Sequence, residues 1–217
     1  MKCGFLALFA GLLLTQPLSA APVADLTFKD IRDNSRSLSE FRDAKGFVLA
    51  FLGCECPINT AIMPTLTTLA DDFESKGVVF VGIYSNMQDS LADVTEHSRK
   101  HHVKFIVTKD FDAKIANLLE AKRTPEFVVL DAKRVIQYRG RIDDQFGYTK
   151  NGQSFSRPSA SKNDLRDALT AMLDGKETPT TEVLGCLIGR EKKSKDGQIT
   201  WSQHVAPIVF QHCASCH

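Results

Sequence analysis

The sequence predicts an α/β fold with a central mixed sheet flanked by helices, and three observations carry that prediction. Phe47 to Leu52 is an uninterrupted apolar run of β-favouring residues, the composition of a strand buried on both faces. A helical pattern follows at once and leads into a second apolar run, Val78 to Tyr84. A strand, helix, strand unit with short connections implies a parallel pair and a right-handed crossover. Phe127 to Leu130 and Val135 to Arg139 flank the turn Asp131 to Arg134 as an antiparallel hairpin, which makes the sheet mixed.

The elements follow in order. Met1-Lys2, an apolar segment from Phe5 to Leu14 and the small residues of Pro17 to Pro22 have the form of a secretory leader, residues 1–21, cleaved after Ala20 or Ala21. Its apolar stretch is shorter than a spanning helix, so no stable membrane insertion is expected after cleavage. Secreted or periplasmic export implies an oxidising compartment. Cys3 leaves with the leader, and the remaining five of the six cysteines are available for bridging, metal binding or cofactor attachment. The formal net charge is +1 and Lys2 goes with the leader, so the mature chain is neutral. Neither a nucleic-acid surface nor an acidic cation-binding tail is expected.

Asp25 to Phe41 reads as two short strands around a polar turn at Asp33 to Ser35. After the Phe47 to Leu52 strand and Gly53, the chain turns through Cys54, Glu55 and Cys56, and Pro57 stands where a helix tolerates it best, at the first position. Ile62, Leu66, Leu69 and Phe73 then lay one apolar stripe along a helix running to about Ser75, with Gly77 as its stop. Asp89 to His102 is the next helix, capped by Asp89 or Ser90, with Leu91, Val94 and Ser98 on its inner face and His97, His101 and His102 solvated near its C-terminus. A short strand at Lys104 to Val107 and a short helix at Asp112 to Leu119 precede Thr124-Pro125 and the hairpin. A polar loop from Arg139 to Phe155 and a last helix, Lys162 to Leu173, complete a domain over residues 22–175. Residues 176–198 read as a linker carrying Cys186, and 199–217 as a further segment ending in Cys213-Ala214-Ser215-Cys216-His217.

The candidate chemistry centres on Cys56. A cysteine that begins a helix after a buried strand faces unpaired backbone N–H groups and the positive end of the helix dipole, which favour thiolate over thiol. A structural or metal-binding Cys-x-Cys pair is the competing reading of Cys54 and Cys56. Glu55 between them opposes thiolate formation and Arg123 beside Thr124 favours it, two opposing effects that the sequence does not rank.

The order of elements, with Cys56 eight residues before Pro64 and Thr124-Pro125 before the hairpin, resembles the thioredoxin-like fold. More narrowly, the chain resembles its redoxin branch, which includes the alkyl hydroperoxide reductase and thiol-specific antioxidant family. That resemblance implies catalytic Cys56 with Cys54, and a proline loop at Thr124 and Pro125 that presents backbone groups to substrate. It implies no cofactor for the redoxin domain and no metal. Two departures stand out: the second thiol of a Cys-x-x-Cys oxidoreductase falls at Asn59, and the threonine that peroxiredoxins place three residues before their reactive cysteine falls at Gly53. Cys54 and Cys186 remain as candidates to resolve an oxidised Cys56. The Glu-Cys-Pro motif and the stretch Tyr138 to Asp144 are similar to those of exported redoxin-domain proteins. The terminal Cys213, Cys216 and His217 resemble the attachment motif of a c-type cytochrome, which implies haem c only if the chain continues beyond His217.

The expected function is thiol-dependent redox chemistry of an antioxidant or exchange type, on protein disulfides or hydroperoxides and supported by a thiol reductant. The alternatives are an electron-transfer partner of a haem c domain and a non-catalytic thiolate site for a soft metal such as copper.

Overall fold

A computed structural model describes residues 21–148, 151, 153–190 and 199–212. The leader residues 1–20 and the terminal Cys213, Cys216 and His217 therefore lie outside the described residues.

Strand β1 (Thr27–Lys29) pairs antiparallel with β2 (Ser35–Ser37), the expected lead-in hairpin. The principal sheet has five strands: β3 (Gly46–Leu52), β4 (Val78–Tyr84), β5 (Ile106–Lys109), β7 (Glu126–Asp131) and β8 (Ile136–Gly140), in the order β5-β4-β3-β7-β8. A two-residue strand, β6 (Arg123–Thr124), comes just before β7. β3 pairs parallel with β4 and antiparallel with β7, so the sheet is mixed about its central strand. All seven residues of β3 are buried. Their alternation divides them between two cores, as a strand covered on both faces requires. Val48, Ala50 and Leu52 join the stripe of helix α1 (Pro57–Glu74), Val94 of α2 (Leu91–Lys100) and the inner face of α4 (Asp164–Leu173). Phe47, Leu49 and Phe51 join Leu26, Leu38 and the short helix α3 (Lys114–Leu118) on the other face.

Helix α1 shows why the chain folds this way locally. Pro57 occupies its first turn, Cys56 is its N-cap, and Ile62, Leu66, Leu69 and Phe73 are all buried. Each such burial contributes about 1.5–3 kcal/mol, so Leu66→Ala alone would remove a large share of the attachment of α1 to the sheet.

Three expectations are corrected. Leu91 is exposed, whereas His97, expected in solvent, is 7 % exposed and packs on the sheet with its Nδ1 2.9 Å from the Tyr84 hydroxyl. Val94 and Ser98 are inward as expected, and His97 rather than Leu91 completes the buried face of α2. The third strand begins at Ile106 rather than Lys104, because Val81 to Tyr84 pair with Ile106 to Lys109. The Arg139 to Phe155 loop contains a small hairpin, β9 (Phe146–Tyr148) with β10 (Ser154–Ser156). Among the described residues no helix is long and apolar enough to cross a membrane.

After α4 the chain returns to the sheet. Thr181 N donates to Arg139 O, and residues 186–187 form β11 (Cys186–Leu187), antiparallel to β6. The segment read as a linker thus carries a two-residue strand laid against the Thr124 turn.

Candidate active site

Cys56 ends the turn between β3 and α1 with extended backbone angles, φ −77° and ψ 116°, and its carbonyl accepts the helical bond from Thr60 N. Its side chain is 5 % exposed. The sulfur donates to the Thr124 carbonyl at 3.3 Å. The Thr124–Pro125 bond is cis, and the hydrogen bond from Cys56 to Thr124 places this turn beside the sulfur. Behind that turn, the buried Glu126 carboxylate accepts from Lys122 N at 2.8 Å and Arg123 N at 3.2 Å, and pairs with Arg139 at 2.5 Å.

Cys186 stands opposite Thr124 in the β6–β11 register and within hydrogen-bonding reach of Cys56. Burial and the adjoining Cys56 sulfur push the Cys186 thiol up, against the opposing pull of the Arg123 guanidinium. Glycine permits this approach. Gly185 has φ +155°, and a Cβ there would lie 2.2 Å from the Thr124 carbonyl oxygen. The segment is pinned on both sides of Cys186: Arg123 Nη1 donates to Gly185 O at 2.6 Å, Ile188 N to Lys122 O at 3.0 Å, and Met87 N to Gly189 O at 2.8 Å. Leu184 and Ile188 are buried, whereas Cys186 and Leu187 face solvent.

Cys54 belongs to different surroundings. Its backbone N–H donates to Asp89 Oδ2 at 3.2 Å, and its thiol is pushed up to about 12, first by burial and then by the Asp89 and Asp93 carboxylates. Such a thiol stays protonated at neutral pH. Asp89 also accepts from Asn86 Nδ2 at 3.1 Å, while Asn86 Oδ1 accepts from Gly189 N at 3.0 Å. Lys109, nearly buried, donates to Asn86 O at 2.7 Å. One polar network therefore joins the Cys54 turn to the Cys186 segment. Asp89, Asn86 and Lys109 are not among the site residues the sequence points to, and Arg123 was expected to offset the charge of Glu55 from beside Thr124. Arg123 instead holds the Gly185 carbonyl, and Glu55 is exposed.

The two departures from the family patterns have steric causes. Asn59 is fully buried and donates from Nδ2 to Gly53 O at 3.0 Å, so the place of a second helix thiol is filled by a structural amide. At Gly53 a Cβ would meet Asn86 Nδ2 at 2.5 Å and Thr124 Oγ1 at 3.1 Å, leaving no room for threonine.

Beside the site, Pro57, Ile58, Phe146, Phe155 and Leu184 line an open groove of about 330 Å³. A larger cavity, about 550 Å³, lies at the other end of the sheet by Gly77 to Phe80 and Lys104 to Ile106, away from the cysteines. Among the described residues no three His, Cys, Asp or Glu side chains gather as a metal site.

Comparison with known proteins agrees with this framework. A hypothetical protein from Sinorhizobium meliloti 1021 is 28 % identical, with TM-score 0.69, over 82 % of this chain and 98 % of its own. An uncharacterised conserved protein from Geobacillus kaustophilus is 24 % identical, with TM-score 0.70, over 83 % and 96 %. A Chlorobium tepidum protein provisionally assigned as the thiol:disulfide interchange protein DsbE is 16 % identical, with TM-score 0.56, over 71 % and 97 %. No curated protein matches the chain. The fold is thioredoxin-like. The AhpC/TSA profile spans residues 19–143, from before β1 to beyond β8, which takes in the strand, the helix and the cis-proline turn that converge on Cys56 and makes this chain a member of the AhpC/TSA family.

Proposed function

We propose that this protein is an exported thiol-disulfide oxidoreductase whose redox couple is Cys56 with Cys186. The carrying observation is the meeting of three groups: a cysteine sulfur at the N-terminus of α1, the carbonyl before a cis-proline, and a second thiol held against both. Cys56 stands at the start of α1, and the neighbouring Cys186 thiol lies within hydrogen-bonding reach of its sulfur. Oxidation joins the two sulfurs and reduction separates them, with two electrons and two protons exchanged per cycle. Cys186 is therefore the second thiol of the couple, and Cys54 stands outside it. Protein thiols and disulfides are the substrate class, with the turn at Thr124 and Pro125 as their backbone contact. Export rests on the leader-like residues 1–21 and the oxidising compartment that a working disulfide couple needs.

Hydroperoxide reduction is the second reading, favoured by the sheltered Cys56, which a small peroxide reaches more readily than a protein does. In that case the Cys56 thiolate attacks the peroxide oxygen, an alcohol or water leaves, and Cys186 condenses with the sulfenic acid to give the same disulfide and water. The absence of a hydroxyl-bearing residue at Gly53 favours disulfides over peroxides.

Mass mapping of the air-oxidised protein, with insulin reduction and hydroperoxide consumption assayed in parallel, tests both. A Cys56–Cys186 bond and loss of turnover in Cys56→Ser are expected. A Cys54–Cys56 bond, or full activity in Cys56→Ser, would overturn the proposal.

A further inference from the structure

Resting on that couple, and naming how its partner engages it, we infer that external thiols and disulfides react at Cys186, with Cys56 held behind it as the thiolate that leaves and returns. Exposure divides the two residues: Cys56 is 5 % exposed, whereas Cys186 is exposed and is followed by Leu187 at 69 %. One side of the Cys56 sulfur is taken by the Thr124 carbonyl and another by Cys186. To uncover it, a protein-sized partner would have to break the bonds of Gly185, Ile188 and Gly189 to their neighbours. It would also have to pull the buried Leu184 and Ile188 out of contact. Attack at Cys186 requires none of this.

The chemistry favours the same order. An incoming thiolate, RS⁻, forms a bond to the Cys186 sulfur of the oxidised pair. The Cys56–Cys186 bond breaks, and its electron pair leaves on Cys56, where the start of α1 stabilises the charge. A second thiol of the partner then attacks the RS–Cys186 bond, releasing the partner's disulfide and the Cys186 thiolate, which takes a proton from solvent. Two partner thiols are oxidised and one protein disulfide is reduced. By microscopic reversibility, Cys186 first gives its proton to solvent and its thiolate captures an external disulfide, releasing one partner thiol; Cys56 then attacks the Cys186 sulfur and releases the second.

Full-length Cys56→Ser and Cys186→Ser proteins, treated separately with a labelled peptide disulfide, distinguish the two orders. Cys56→Ser is expected to accumulate the peptide on Cys186, at least tenfold faster than Cys186→Ser accumulates it on Cys56. Equal or faster labelling of Cys56, or no labelling of Cys186, overturns the inference. Peptide mapping of the oxidised, unaltered protein provides the separate control: a missing Cys56–Cys186 bond sinks the couple itself, whereas its presence with labelling on Cys56 sinks only the order of attack.

Discussion

Gly185→Ala tests the juxtaposition of Cys186 and Cys56 without altering either sulfur. A Cβ at that position would lie 2.2 Å from the Thr124 oxygen and 2.7 Å from its carbonyl carbon, both rigid backbone atoms. Carbon contacts are optimal at about 3.5–4.0 Å, so β11 must retreat by roughly 1 Å or more. Overpacking of this kind costs about 1–3 kcal/mol. That cost falls on the segment that holds Cys186 in place and lowers the effective concentration of one thiol at the other. At about 30 mV per 1.4 kcal/mol for a two-electron couple, the reduction potential should become less negative by about 20–65 mV. The assay is equilibration in graded thiol-disulfide buffers, with the bridged fraction read by alkylation and mass. Gly175→Ala is the control: it also has a positive φ, +69°, but has nothing within 4 Å of its Cβ position, so it should strain the helix end and leave the potential alone. Equal potentials for Gly185→Ala and the unaltered protein would refute the reasoning, provided circular dichroism shows both folded.

Three further outcomes are expected. Asp89→Asn removes a carboxylate that helps keep the Cys54 thiol protonated, so alkylation of Cys54 at fixed alkaline pH should accelerate several-fold; an unchanged rate would leave burial and Asp93 as the causes. Burial, then His101 and Lys100, hold the His97 imidazole down to about 4 against an ordinary 6.5. A depressed folded value means that the neutral ring stabilises the fold above pH 6.5 and that this contribution is lost as pH falls toward 4. The melting temperature should therefore drop through that window, and less steeply in His97→Gln. Glu126→Gln leaves Arg139 without its buried partner and weakens the carboxylate's hold on two backbone N–H groups, so stability should fall by about 3 kcal/mol, seen as a lower denaturant midpoint.

The neighbourhood of Cys56 was legible because its signals are local. A buried strand, a glycine, a cysteine and a proline at a helix start all fall within a few residues, and Thr124-Pro125 marks itself. The position of Cys186 was not legible, since a two-residue strand has no periodicity to read and its partner lies 62 residues upstream in the 186-to-124 register. Gly185 was visible, but its purpose depends on a carbonyl that only the fold brings near. His97 could have been found: Val94, His97, Ser98 and His101 have the i, i+3, i+4, i+7 spacing of an inward face, and the choice of Leu91 as an anchor hid it. Asp89 was read only as a helix cap, because nothing in the sequence announces that the backbone N–H of Cys54 turns toward it.

The amide of Asn59 has a consequence for the energetics of oxidation. With the helix unable to supply a second sulfur, any bond made by Cys56 to Cys186 encloses about 130 residues, nearly the whole domain, where a bond within the helix turn would enclose four. Chain-entropy reckoning puts the stabilisation from so large a ring at about 5 kcal/mol. On the proposed couple, oxidation is thereby also a change in how firmly the molecule resists melting: the bridged form would be a closed ring and the reduced form an open thread.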